Sequence, residues 1–374
     1  MRFSIPAKNL RDAIALLGRI VPSGCIKPIL EGVLIKVETD IVTLAATDLE
    51  VSAVVELPIK SKSIFQNKDA TKSGGAVLPL RLLKAAATAA GNGALSVSDT
   101  KLEWAGGSQT IEPWPAVEYP VIPERPAAGG FVISSKDLAE ALGKTLFAMA
   151  KISTRYAIGT VSLSMDGGLL VVACTDSRRL AEYSIPTAGD SMSALLSAKL
   201  ARILVRPPKT APASWRVSLL PPDHDDGMSR LFLSGDGIVL SADVPDGKFP
   251  KYKDLFIREP VATCIANKAA LEAALLQITQ AGEITNYDNP LVRLQTAASS
   301  LLLSSGGCSI EVPAVIDGSE GWLAGYSSKY FLDVVHTADG PNVTILLDRP
   351  AGPIELRDAD GGWRSILMPI NLGE

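Results

Sequence analysis

The chain repeats one short design three times. A brief apolar strand runs straight into an amphipathic helix at FSIPAKNLRDAIALL from Phe3, at FVISSKDLAEALGKTL from Phe131, and at TCIANKAALEAALLQI from Thr263. In each copy a strand isoleucine (Ile5, Ile133, Ile265) stands three residues before a lysine (Lys8, Lys136, Lys268) and eight before an alanine (Ala13, Ala141, Ala273). In the first helix Leu10, Ala13, Ile14 and Leu17 fall on one stripe of the 3.6-residue period. A register that recurs constrains the fold more than local propensity does, because copies of one unit bury equivalent faces.

A second match extends the register. Thr47-Asp48 in AATDLEVSA and Thr175-Asp176 in ACTDSRRLA are separated by 128 residues, the same spacing as Ile5 and Ile133. Each unit then shows a second helix, VLPLRLLKAAATAA from Val77, LLSAKLARILVR from Leu195 and GYSSKYFLDVVHTA from Gly325, with Arg81, Lys199 and Lys329 in comparable positions. Around the helices run β-rich segments such as GVLIKVE, TVSLSM, WRVSLL, RLFLSG and VTILLD, punctuated by Gly, Asp and Pro turns. The pattern predicts an α+β fold of three domains, each with two helices laid on strands. Proline-rich links, EYPVIPERPAAGG and FPKYKDLFIREP, set the expected boundaries at 1–125, 126–254 and 255–374. Residues 60–75, KSKSIFQNKDATKSGG, have no periodicity and read as an exposed loop.

With 374 residues the chain suits two or three cores rather than one. Apolar residues at 47% and charged residues at 20% are globular values. The start, MRFSIPAKNL, lacks the apolar run of a secretion signal, and no stretch approaches the length of a membrane span, so a cytoplasmic location is expected. Cys25, Cys174, Cys264 and Cys308 lie far apart with no CxxC pair, which indicates neither a zinc site nor a disulfide framework.

The formal net charge of -4 argues at first against a nucleic-acid partner. Its distribution argues otherwise. The helical windows 7–18, 79–90, 135–155, 197–206, 267–280 and 327–338 hold thirteen Lys and Arg against five Asp and Glu. Of the chain's 36 basic and 40 acidic residues, that leaves 23 and 35 elsewhere. Basic helices in an acidic body suit a duplex held by its phosphates without base reading. Ordinary solvating lysines would give the same sign.

The stretch ACTDSRRLA packs Asp176, Arg178 and Arg179 into four positions. It either carries chemistry or frames a surface for something else. An enzyme reading would use Asp223, His224, Asp225 and Asp226 as a metal or acid-base cluster, but PPDHDDG sits between strand-like runs with proline before and glycine after, as a solvated hairpin loop does. No Walker loop, GxSxG elbow, HExxH or strand-linked GxGxxG occurs.

Seven segments, in order, resemble the bacterial sliding clamps, the β subunits of DNA polymerase III. They are MRFSIPAKNL, KPIL at 27–30, ATDLE at 46–50, TDSRRLA at 175–181, DGKFPKY at 246–252, YFLDVV at 330–335 and LMPINL at 367–372. The resemblance implies three clamp domains per chain and a head-to-tail homodimer, a six-domain ring with strands outside and helices lining the hole. Such a ring encircles duplex DNA and tethers a polymerase. It catalyses nothing and needs no cofactor; its partners are double-stranded DNA and the short linear motifs of polymerase, clamp-loader and repair proteins. It works in the cytoplasm at the nucleoid, away from membranes. The edges between copies would lie near Ile111 and near Leu275 and Leu276. A specialised second clamp, or an interaction scaffold that keeps the fold without the ring, is the alternative.

Carried over residue by residue, the resemblance puts a hydrophobic peptide cleft at Ile158, Thr175, Ser177, Arg178, Arg179, Leu180, Pro250, Leu255, Ile366, Met368, Pro369 and Ile370, with Tyr330 on the rim. Asp176 would order its turn as Asp48 does in the first copy. For Ile158, Leu180, Leu255 and Met368 plain core packing competes with this reading, and for Arg178 and Arg179 a solvated rim. Lys199 and Tyr156 match DNA-facing positions, while Lys8, Arg11, Arg81, Lys84, Lys136 and Arg202 follow from charge alone. Gly24 stands where the family usually has an arginine, leaving Lys27 nearby, and Ile152, Arg178 and Asn371 also depart from the usual residues, as do the added Gly373 and Glu374.

Overall fold

A computed structural model of the chain describes residues 2–38, 40–59, 75–151, 156–222, 227–283, 290–350, 352–358 and 361–372. Ile152, Asp223, His224, Asp225, Asp226, Gly373 and Glu374 lie outside the described residues, as does the side chain of Tyr156. So does the expected loop of residues 60–75, except Gly75, which opens a strand.

The first repeat contributes β1 (Arg2–Pro6), α1 (Ala7–Leu17), β2 (Gly32–Val37), β3 (Ile41–Thr47), β4 (Val51–Pro58), β5 (Gly75–Pro79) and α2 (Leu80–Ala89). It ends with β6 (Ala94–Ser98), β7 (Lys101–Trp104), β8 (Gly107–Thr110) and the two-residue β9 (Trp114–Pro115). The second contains β10 (Phe131–Ser134), α3 (Ser135–Thr145), β11 (Val161–Asp166), β12 (Leu169–Thr175), β13 (Arg179–Pro186) and β14 (Met192–Leu196). It continues with α4 (Ala198–Leu204), β15 (Ser214–Leu220), β16 (Arg230–Gly235) and β17 (Ile238–Asp243). The third has β18 (Ala262–Asn267), α5 (Lys268–Glu283), β19 (Leu291–Thr296), β20 (Ser300–Ser305), β21 (Cys308–Gly318) and β22 (Leu323–Ser327). It closes with α6 (Ser328–Thr337), β23 (Asn342–Leu347), β24 (Ile354–Arg357) and β25 (Trp363–Leu367). Apart from the two-residue β9, the order strand, helix, four strands, helix, three strands occurs three times, so two helices and their strands recur where the sequence register repeats.

Period decides each element. Helix α1 buries Leu10, Ala13, Ile14 and Leu17, and α5 buries Leu271, Ala274, Leu275 and Ile278, one stripe each. Both helices of each repeat follow a strand directly. The residues expected to start the second helices, Val77 and Leu195 among them, lie instead in β5 and β14, where they complete a ladder before the chain turns helical.

Within each repeat the strands form two four-stranded groups, and ladders then cross the repeat boundaries. Strand β4 pairs with β17 from Val51↔Ala242 to Val55↔Ile238, joining first and second repeats. Strand β13 pairs with β25 from Arg179↔Leu367 to Tyr183↔Trp363, joining second and third. The result is a nine-stranded sheet, β10-β15-β16-β17-β4-β3-β2-β5-β9, a twelve-stranded sheet, β14-β11-β12-β13-β25-β24-β23-β18-β21-β20-β19-β22, and a separate β1-β6-β7-β8 sheet.

By compactness the chain divides into two units, residues 1–139 with 188–190 and 199–244, and residues 140–187 with 191–198 and 245–374. The cut runs through the middle repeat because each of its strand groups is hydrogen-bonded to a neighbouring repeat. In the first unit a cluster of Leu34, Ala45, Val77 and Tyr119 packs with Trp114 and Ile122. In the second, Leu271, Leu275, Val292, Leu294, Tyr326 and Phe331 belong to one large core.

Two expected edge residues are not at the surface. Ile111, just after β8, is buried, and Leu275 is buried on the apolar stripe of α5; Leu276, one step round the helix, is exposed.

Candidate functional site

The ACTDSRRLA stretch folds as a tight turn, and the first repeat builds the same turn. Asp176 Oδ1 accepts from the N–H groups of Arg178 and Arg179, both at 2.9 Å, while the Thr175 hydroxyl donates to Arg179 O and accepts from Ser177 N–H. Asp48 Oδ1 accepts from Glu50 and Val51 N–H, and Thr47 bonds Val51 O and Leu49 N–H in the same way. The third residue of each turn is left-handed, Leu49 at φ 84 and Ser177 at φ 72. Asp176 is thus a turn-former that aims the start of β13, as expected.

Burial sorts the expected cleft residues. Thr175, Arg179, Leu180 and Ile366 are buried, Ser177, Arg178, Pro250 and Leu255 are exposed, and Ile158, Tyr330, Met368, Pro369 and Ile370 lie between. Leu180 and Ile366 face each other across β13 and β25 and form a small cluster with Ala173, Tyr252 and Phe256, against which Phe249 and Met368 pack. The tail beyond β25 is pinned at two points, Met368 N–H to Arg178 O at 2.9 Å and Ile370 N–H to Gly325 O at 2.8 Å. Gly325 lets the tail approach closely: a Cβ there would stand 2.5 Å from Leu372 Cδ2, so that side chain would have to shift. Pro250 and Leu255 belong to the segment whose Phe249, Tyr252 and Phe256 cover the cluster. Ile158 lies in a 3-10 turn, Tyr156–Gly159, whose Ala157 abuts Gly247. Met368 thus offers partly open apolar surface over a buried floor of Leu180 and Ile366, while Pro250 and Leu255 are exposed in the covering segment and Pro369 and Ile370 are half-buried in the tail.

Arg179 is neither rim nor open wall. Its side chain is 7% exposed, pairs with Asp176 at 3.1 Å and Asp333 at 2.5 Å, and lies over the Tyr330 ring at 4.3 Å and the Phe147 ring at 5.4 Å. Two carboxylates and two aromatic faces replace the water that such burial removes. It fixes α6, and with it Tyr330, against the turn.

Sequence reasoning missed what holds the site from beneath. Glu182, 1% exposed, accepts from Tyr252 Oη at 2.6 Å, Lys253 Nζ at 2.5 Å and Arg364 at 2.7 and 3.0 Å. Burial alone would raise its pKa, but the hydrogen bonds from Lys253, Tyr252 and Arg364 together hold it below the ordinary carboxylate range. Burial, with Glu182 adding to it, pushes the Tyr252 hydroxyl well above its usual value, so it stays protonated and donates. The four cysteines are free thiols, and burial raises Cys174 to about 12. Among the described residues no three His, Cys, Asp or Glu side chains converge as a metal site would need, and no helix is long and apolar enough to cross a membrane.

The expected DNA-facing cations divide likewise. Lys8, Lys27, Arg81, Lys84, Lys136 and Arg202 are exposed. Arg11 instead donates to Ala87 O at 2.8 Å and to Gly91 O, closing the C-terminal end of α2. Lys199 pairs with Asp48 and donates to Ile20 O at 3.1 Å, so part of its charge is spent on structure. Trimmed to the observed helices the basic excess is smaller, ten Lys and Arg against six Asp and Glu, because Lys151 and Arg206 follow the helix ends, Arg155 lies outside the described residues and Glu283 is gained. A cationic groove of about 360 Å³ nevertheless opens between Arg19, Lys199, Arg202 and Arg206. Arg19 lies one residue beyond the first charge window, and that is why it went unnoticed.

Residues 1–87 match the family described as DNA polymerase III beta subunit, N-terminal domain. The beta sliding clamp of Pseudomonas aeruginosa is 24% identical over 390 residues, with both chains covered completely. Among solved structures, the DNA polymerase sliding clamp of Bacillus subtilis superposes with a TM-score of 0.87 at 18% identity over 99% of each chain. A Pseudomonas aeruginosa sliding clamp bound to griselimycin superposes at 0.83 with 23% identity over the whole of both chains.

Proposed function

We infer that this chain, a relative of the bacterial β sliding clamps from end to end and built on their fold, is a non-catalytic processivity factor that encircles duplex DNA and tethers a polymerase. One observation carries the ring. In both ladders that cross a repeat boundary, the third strand of one hairpin set joins the last strand of the next repeat: β4 with β17, β13 with β25. The strands left over by that rule are β21 of the third repeat and β8 of the first. Strand β8 ends its sheet, and β21 along Cys308–Pro313 is paired on one side only, with β20. Joining β21 of one copy to β8 of another is a heterologous contact that closes after two copies, giving six repeats in a circle. The three-domain division at 1–125, 126–254 and 255–374 belongs to this reading, in which Leu276, exposed on α5, would support the seam.

Exposed Lys8, Lys27, Arg81, Lys84, Lys136 and Arg202, with the groove at Arg19, supply phosphate contacts that carry no sequence information and exchange freely. The partly open surface around Met368, Leu255, Pro250 and Ile370 receives short apolar motifs of polymerase and clamp-loader proteins, with Arg178, Ser177 and Tyr330 at its edge. Two buried anchors at roughly 1.5 to 3 kcal/mol each support exchangeable binding. Tethering raises the polymerase's local concentration at the template without further contacts. The protein would work in the cytoplasm at the nucleoid.

The test is topological. Protein loaded on nicked circular DNA should be retained during gel filtration and lost once the circle is cut. Retention on the linear form would show ordinary DNA binding and overturn the ring.

A further inference from the structure

A second recess lies on the sheet face that bears the cleft. On strands β13, β25, β24 and β23 the pairing register sets two rows of side chains on one face. One row is Leu180, Ile366, Glu355 and Leu346, and the other is Glu182, Arg364, Arg357 and Thr344. The segment Phe249–Ile257 crosses this face. The recess, about 600 Å³, is lined by Lys253, Arg258, Arg357 and Arg364, with no carboxylate among its walls. Phe256 and Leu346 supply apolar surface beside the cations.

The charge is unbalanced. Arg364 and Arg357 stand directly opposite each other on adjacent strands, a like-charge pair that disfavours the sheet unless an anion offsets it. Two buried carboxylates on the same face bond these cations, Glu182 to Lys253 and Arg364, Glu355 to Arg357 at 2.5 Å, two anions among four cations. Glu355 is further occupied by Ile257 N–H at 2.7 Å. Arg258 is 85% exposed, and its nearest carboxylate, the equally open Asp254, is 3.9 Å away. Arg364 lies 3.6 Å over the Phe256 ring while its Nε and Nη2 donate to Glu182, so its guanidinium is held in place along the wall of the recess.

We propose that this recess is a docking site for an acidic peptide segment of a partner protein. One apolar side chain of the segment would rest on Phe256 and Leu346, and its carboxylates would pair with Arg258, Arg357 and Arg364. The site is separate from the Met368 surface and stands whether or not that surface binds polymerase motifs.

The probe is the capped peptide Glu-Glu-Leu-Glu-Glu, titrated calorimetrically into the full chain in about 50 mM salt, where surface charges are least screened. Saturable binding is expected. It should weaken at least about tenfold in Arg258→Glu and persist in Met368→Ala and in Lys101→Glu, a charge reversal at an exposed position outside the recess. Arg258→Gln, whose fold is under no threat at so open a position, should fall between. Absence of binding, an equal loss in Lys101→Glu, or displacement of the peptide by millimolar inorganic phosphate would each overturn the proposal. Loss in Met368→Ala alone would do the same, since it would place the peptide in the cleft.

Discussion

Asp176 and Asp48 do the same work 128 residues apart: one carboxylate oxygen caps two successive N–H groups while a threonine hydroxyl closes the turn from the other side. Asp176 also holds Arg179 Nε. Asp176→Ala leaves two N–H groups and a buried guanidinium short of partners, so urea unfolding should show a loss of about 2 to 3 kcal/mol. Asp176→Asn keeps an acceptor for the turn and loses only the charge pairing, with a cost near 1 kcal/mol. Equal costs for the two variants would mean that the charge, not the turn, is what matters.

At the scale of elements, buried and half-buried residues of the proposed cleft play different parts. Leu180 and Ile366 are floor: Leu180→Ala would open a cavity and cost about 2 to 5 kcal/mol of stability, confusing folding with binding. Met368 is half-buried and held by its backbone, so Met368→Ala should weaken an apolar-anchored polymerase peptide by roughly tenfold in fluorescence anisotropy with little change in thermal midpoint. An unchanged affinity would remove this surface from the binding site. The resemblance to the clamps, not the repeat register, put Leu180, Ile366 and Met368 in one neighbourhood, because TDSRRLA and LMPINL are far apart in the chain. It could not show that Arg179 is buried, since arginines are mostly exposed and its partner Asp333 is 154 residues away. Nor could it find Glu182, whose three donors come from two other segments. The helices were legible from their period, but their basic excess was overstated because periodicity does not fix where a helix ends.

At the scale of the whole molecule, the repeat was legible and the joins were not. Nothing in the residues of β4 or β13 announces a partner in the next repeat, because ladder bonds are made by backbone common to all strands. The same ladders make a prediction for the free edge. Ile111 N–H donates to Thr100 O, so alternation along the β7–β8 ladder leaves the N–H groups of Ser108 and Thr110 on the unpaired side. Ser108→Pro removes that donor without touching the β7 bonds. Sedimentation should show self-association on the order of a hundredfold weaker, with unchanged circular dichroism. An unaltered dimer would put the seam elsewhere. The two crossing ladders bear on any attempt to dissect the protein. Excised alone, residues 126–254 would carry two raw strand margins, one along β13 and one along β17, each stripped of a whole row of bonds. Such a fragment should clump rather than stay dispersed, and the linkers that look like natural places to cut are where cutting would do the most harm.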